Sequence, residues 1–259
     1  MNGNECWVGP FDPGVQAAAS KLTLCNFYRP NDEYPEFLST VAEIERVPLE
    51  TVLPWPGSSG PLSRAVVTFC SPTRGIVTAN QGFELPWWTA DWVGAKISKV
   101  PLTSDYRHDV KAMLAADPNA GLYYICNPNN PTGTNTPLED IEWLLSNKPA
   151  GSIVLVDEAY IHFSNAKPAS YLVAQGKDVL VLRTFSKLFG MASMRMGISM
   201  APKALHDKMM RYDGWAAVGH APSAFIGLRD RQLEAAGANR PAQSRNDRRP
   251  QRHLRSSPE

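Results

Sequence analysis

Six short polar stretches have the residue types and spacing to do chemistry together. Gly57-Ser58-Ser59 precedes a helix, and Phe83 follows an apolar run. Asn127-Pro128-Asn129-Asn130-Pro131-Thr132-Gly133-Thr134 comes directly after Leu122–Cys126, and Asp157-Glu158-Ala159-Tyr160 directly after Ile153–Val156. Arg183-Thr184-Phe185-Ser186-Lys187 follows Val179–Leu182, and Arg195 comes eight residues later, in Met194-Arg195-Met196-Gly197. In an open α/β sheet, ligands sit beyond the carboxyl ends of the strands. If these runs are parallel strands, their ends offer one edge a lysine amine, an aspartate, an arginine, an aromatic face and a Ser-rich cup for phosphate. Each stretch also has a plainer reading. Asp-Glu after a strand caps helices, Asn-Pro and Pro-Thr-Gly form turns, and a lysine at a strand end is an ordinary solvated charge.

The elements that must position them come from periodicity. Leu122–Cys126, Ile153–Val156 and Val179–Leu182 are continuous apolar runs, as expected of strands covered on both faces. Shorter strands are predicted at Thr51–Trp55, Gly75–Ala79, Ala95–Val100 and Gly197–Met200. Helices are predicted over Tyr34–Glu45, from Pro61 to Phe69, and over Glu84–Val93, Val110–Ala116, Leu138–Leu145 and Lys203–Tyr212. The alternation argues for an α/β fold, a mostly parallel sheet between two helical layers. The expected organisation is an N-terminal segment (1–50), an α/β domain (51–218) and a basic tail (219–259).

The tail departs from this pattern. From Gly219 onward there are eight arginines, no lysine and four acids, so the tail carries +4 and the rest of the chain −3. Leu233–Ala236 is a possible helical turn, and Arg240–Glu259 has too little apolar surface to offset its ordering entropy. The abrupt change is what a shifted reading frame near Gly219 produces, a reading that translation of the surrounding DNA tests. The whole-chain charge of +1 and the lack of aromatic residues among the tail arginines argue against nucleic-acid binding. No apolar run reaches the ~18 residues of a membrane span, and Met1–Pro10 has no secretory pattern. Cys6, Cys25, Cys70 and Cys126 form no C-x-x-C pair, and the expectation is reduced thiols in a cytoplasmic protein with no metal site.

The order N-P-x-N-P-T-G, D-E-A-Y, S-K and R-x-G resembles the fold-type I pyridoxal-phosphate aminotransferases of class I/II. Pro56-Gly57-Ser58-Ser59 and Asn127–Thr134 are similar to the histidinol-phosphate aminotransferase-like branch. The resemblance runs from about Asn4 to Tyr212. It implies a three-layer αβα large domain and the cofactor pyridoxal 5'-phosphate. Lys187 would condense with the cofactor aldehyde and later move the α-proton, Asp157 would pair with the ring nitrogen, and Asn130 and Tyr160 would bond the phenolic oxygen. Ser58, Ser59, Thr184, Ser186 and Arg195 would hold the phosphate, Phe83 would stack on the ring, and Tyr28 would reach a neighbouring subunit's phosphate in a homodimer. The implied reaction moves an amino group between a donor, histidinol phosphate-like or an amino acid, and 2-oxoglutarate. Lyase or decarboxylase chemistry on the same fold is an alternative, as is a cofactor-binding protein with impaired turnover. Three departures stand out: Phe83 where the family often has Tyr, Gly60 where an acid is frequent, and no small C-terminal domain, with its substrate-binding arginine, after Tyr212. Asn2–Gly9 is similar to a damaged form of the family's opening segment.

Overall fold

The apolar runs become the middle of one sheet because both of their faces find helices to cover them. A computed structural model of the chain describes residues 3–24 and 33–212. In chain order the elements are α1 (Asp12–Ala19), α2 (Glu33–Glu45), β1 (Val52–Trp55), α3 (Ser59–Phe69), β2 (Ile76–Ala79), α4 (Leu85–Trp92), β3 (Ile97–Val100) and α5 (Val110–Ala116). There follow β4 (Leu122–Cys126), α6 (Leu138–Asn147), β5 (Ile153–Asp157), α7 (Ser170–Ala174), β6 (Val179–Thr184), β7 (Gly197–Met200) and α8 (Lys203–Met209). The strands form one sheet in the order β1-β7-β6-β5-β4-β2-β3. Every neighbouring pair is parallel except the two that β7 makes, with β6 and with β1.

Side chains alternate between the faces with the strand period of two, and the core divides accordingly. Tyr123, Ile125, Val154, Val156 and Val181 face one cluster with Phe37 and Val41 of α2, Met113 of α5, Ile141 of α6 and Leu172 of α7. Tyr124, Leu155, Leu180 and Leu182 face the other, with Leu62 and Val66 of α3, Ala90 of α4 and Leu205 and Met209 of α8. This is the expected three-layer α/β arrangement.

Several elements differ from expectation, and α7 (Ser170–Ala174) falls where no helix was predicted. Helix α3 starts at Ser59, two residues before Pro61. Pro61 is tolerated in the first turn because the amide hydrogens there have no partner within the helix. Strand β6 continues through Arg183 and Thr184, which pair with Ile198 and Gly197 of β7. Helix α1 lies in the N-terminal segment, where the only predicted helix was Tyr34–Glu45, although Asp12 and Pro13 at its start are ordinary helix-opening residues. The possible turn at Leu233–Ala236, the segment Arg240–Glu259 and Tyr28 all lie outside the described residues.

Candidate active site

The sheet's topology gathers the polar stretches. Strands β1 to β6 run the same way, so their carboxyl ends share an edge. Because β7 runs the other way, the loop before it, carrying Arg195, arrives at that same edge. The register ties neighbours together: Cys126 opposite Asp157, Asp157 opposite Leu182, and both Thr184 and Trp55 opposite Gly197.

At the β1–β7 corner, Gly57 takes φ +83° and Arg195 φ +51°, both left-handed. The Arg195 guanidinium lies over Gly57, where any Cβ would run into it. Its Nη1 donates to Ala192 O at 2.8 Å and its Nη2 to Pro56 O at 3.5 Å. A Cβ on Gly197 would sit 2.6 Å from Gly57 C and 2.8 Å from Arg183 O, so close backbone packing requires glycine here as well. Ser58 stands at the N-cap of α3 without making a capping bond, and Ser59 opens the helix exposed to solvent. The corner thus combines a guanidinium, two hydroxyls and a helix N-terminus, a set suited to a phosphate. Nearby, the buried Thr184 and Ser186 hydroxyls lie 2.9 Å apart, and Ser186 N–H donates to Thr184 Oγ1 at 3.2 Å.

In the middle of the edge, Asp157 is only 3% exposed. Its Oδ2 accepts from the Tyr124 hydroxyl at 3.0 Å and its Oδ1 from Ala159 N–H at 3.2 Å. Burial pushes its carboxyl up to about 6, against the pull of those two donors and of Lys187. Lys187 is half-buried, and its Nζ donates to Gly3 O at 2.8 Å and Asn4 O at 3.3 Å. It lies 5.5 Å from the centre of the Tyr160 ring. Burial lowers its proton affinity, Glu5 and Asp157 act to raise it, and Arg195 adds to the lowering. Asn4 Nδ2 donates to the Tyr160 hydroxyl at 2.9 Å. Burial raises the Tyr160 phenol above its ordinary value.

The remaining expected residues are placed less directly. Asn130 is half-buried in a loop that other side chains close. Asn127 and the Thr136 backbone exchange two bonds, of 2.8 and 3.1 Å. Asn129 Nδ2 reaches Gln81 O at 3.1 Å and Thr132 Oγ1 at 2.9 Å, joining this loop to the one after β2. Phe83, half-buried in that second loop, packs against the cluster that contains Trp55 and Leu62.

Several contributors went unread in the sequence. Tyr124 looks like one more apolar strand residue until the register sets it one pleat behind Asp157. Glu158 is fully buried and accepts from Arg183 Nε at 2.7 Å and from Ala169 N–H at 2.6 Å, while Arg183 Nη1 reaches Glu45 of α2 at 2.6 Å. Asn4 and Gly3 come from a segment 183 or more positions from Lys187. No local spacing signals a contact of that kind.

Comparison with known proteins agrees with this geometry. The family model for class I and II aminotransferases matches residues 4–228. An aromatic amino acid aminotransferase of Rhodococcus jostii is 33% identical over 204 residues, 78% of this chain and 57% of that protein. A histidinol-phosphate aminotransferase of Listeria monocytogenes is 40% identical over 200 residues, 76% of this chain and 51% of that protein. The chain therefore spans little more than half the length of these two relatives. A crystal structure from Erwinia carotovora atroseptica, provisionally named a histidinol-phosphate aminotransferase, superposes with a TM-score of 0.82 at 27% identity, covering 92% of this chain and 71% of that one. The Sinorhizobium meliloti histidinol-phosphate aminotransferase, solved with pyridoxal-5'-phosphate, shares the fold at a TM-score of 0.76 and 24% identity, covering 90% and 65%. On the family match and the arrangement at the strand ends, this chain belongs to the class I and II aminotransferases.

Proposed function

We propose that the protein binds pyridoxal 5'-phosphate at this edge and transfers an amino group from an amino donor to 2-oxoglutarate. The observation that carries the proposal is the meeting of a half-buried lysine amine, a buried aspartate and a backbone-seated arginine at one sheet edge. The residues fit the cofactor. Gly57 leaves room for the Arg195 guanidinium beside the opening of α3, and Asp157 is an acceptor for a cationic ring nitrogen. When bound, pyridoxal phosphate supplies an aldehyde that condenses with amines and a protonated ring that accepts electron density.

The chain's own residues do the rest. Lys187, its proton affinity lowered by burial, has more of the neutral amine that attacks an aldehyde and that takes a proton at Nζ. Asp157 is largely ionised at neutral pH and opposes its charge to that of the ring nitrogen. Ser58, Ser59 and Arg195 bind the phosphate, with Thr184 and Ser186 adding hydroxyls. Tyr160 and Asn130 would serve the phenolic oxygen, and Phe83 would lie against the ring. The named relatives support a donor that is an amino acid, aromatic ones included, or histidinol phosphate. The same reading takes the protein to be a cytoplasmic homodimer in which Tyr28 serves the partner's site.

The test is the visible spectrum of the protein loaded with pyridoxal phosphate. A covalent cofactor band that disappears in Lys187→Ala is expected, as is its conversion to the pyridoxamine form on adding glutamate or histidinol phosphate. A band without conversion would leave a cofactor-binding protein in place of an aminotransferase. No band at all would end the proposal.

A further inference from the structure

Tyr124 is fully buried on β4, among Leu62, Val66, Leu155 and Leu182. A phenylalanine would fill that apolar cluster equally well, whereas a buried hydroxyl carries a desolvation cost unless it is bonded. Its bond goes to Asp157 Oδ2, at 3.0 Å. The register makes the meeting unavoidable: Tyr124 pairs with Leu155 and Cys126 with Asp157, so the ring lies one pleat back on the same face. The ionisable groups around Asp157 are Tyr124 and Cys126 from β4, Tyr160 from the loop after β5, and Lys187 beyond β6. Helices α3 and α8 meet this face with Leu62, Val66, Leu205 and Met209. With Ala159 N–H on Oδ1 and Tyr124 on Oδ2, each carboxylate oxygen has one donor and keeps a lone pair for a further partner.

We infer that Tyr124 is a positioning residue whose hydroxyl holds Asp157 charged and correctly turned for the cofactor's ring nitrogen. The inference rests on the proposed cofactor, and it assigns to β4 a part in the site that the strand-end motifs do not contain. Burial alone drives Asp157 toward its neutral form, and the Tyr124 bond is the first of the influences opposing that drive.

Two measurements on the full chain test it. The first is a ¹³C-carboxyl titration of Asp157 without cofactor, assigned by comparison with Asp157→Asn. Tyr124→Phe is expected to raise the midpoint from about 6 by one unit or more, on the order of what losing a hydrogen bond to a buried charge does. Site-specific 3-fluorotyrosine at position 124, a stronger donor with the same packing, is expected to move it the other way, and it serves equally if the phenylalanine variant does not fold. The second is binding of pyridoxal phosphate and of its analogue with carbon in place of the ring nitrogen. Tyr124→Phe is expected to weaken the first by about tenfold and the second by less than about twofold. An unchanged midpoint, or equal loss for both ligands, overturns the inference. Failure of the wild type to bind pyridoxal phosphate would instead remove the proposed function, while the titration still decides whether Tyr124 controls Asp157.

Discussion

At the end of β5 two buried carboxylates follow one another, and the pleat sends them to opposite faces. Glu158 meets a guanidinium and a backbone amide and is tied through Arg183 to Glu45 on α2. Asp157 meets one neutral hydroxyl and one backbone amide. The Glu158 side is an ion network that ties α2, β5 and β6 together through Nε and Nη1 of Arg183. The Asp157 side is a charge with no guanidinium, left with acceptor capacity and a proton affinity near the physiological range. One residue of chain separates architecture from chemistry, and the partner decides which is which. A carboxylate bonded to a buried guanidinium becomes structure; one bonded to a hydroxyl and an amide keeps lone pairs available.

The comparison can be broken first on the structural side. Arg183→Leu leaves the buried Glu158 and the half-buried Glu45 without a cation, so a loss of about 3–5 kcal/mol in unfolding free energy is expected, measured by denaturant titration at pH 7.5. A loss below about 1 kcal/mol would mean that the network holds nothing together.

The Asp157 side is sharpened by pH. The folded-state value of about 6, against an ordinary 3.8, means that the native state binds the proton more tightly than the unfolded chain. Ionisation between these values therefore weakens the fold as pH rises, by about 3 kcal/mol in all. His108 and His206 act oppositely: burial lowers each from 6.5 to about 4, so the unfolded chain binds their protons more tightly and stability rises with pH over that range. The wild-type profile mixes the two signs. Asp157→Asn removes the Asp157 share of the fall, and unfolding free energy should climb more steeply between pH 4 and 6 than in the wild type. Parallel profiles would show that Asp157 ionises as freely in the fold as outside it.

The smallest effect concerns the segment over Lys187. Asn4→Ala removes the donor that favours the Tyr160 phenolate. Its titration, read by ultraviolet absorbance, should move upward by an amount equivalent to about 0.5–1.5 kcal/mol, with global stability almost unchanged. A downward move would contradict the geometry at Tyr160.

Most of the sheet was legible because β4, β5 and β6 each begin with an uninterrupted apolar run, as expected of strands covered on both faces. The site's motifs were legible for a related reason: they follow those strands directly. What stayed hidden depends on register and distance. Arg183 reads as a strand-terminating charge, yet the strand runs through it because two glutamates, one of them 138 positions away, neutralise it. Tyr124 reads as core, and only its alignment with β5 reveals the aspartate beside it. Gly3 and Asn4 lie in the opening segment that the resemblance singled out, but nothing in the sequence shows that their carbonyls reach Lys187.

The reversed direction of β7 has a consequence in time as well as in space. Strand β1 hydrogen-bonds only to β7 in this sheet, and the Trp55 indole meets Ser199 across 144 positions of chain. During synthesis the Ser58 turn is made early and waits, its edge unpaired, until the strand after Arg195 has followed. Long-range pairing of this kind is slow to form. The corner shared by Ser58 and Arg195 is therefore complete only once β7 has paired with β1.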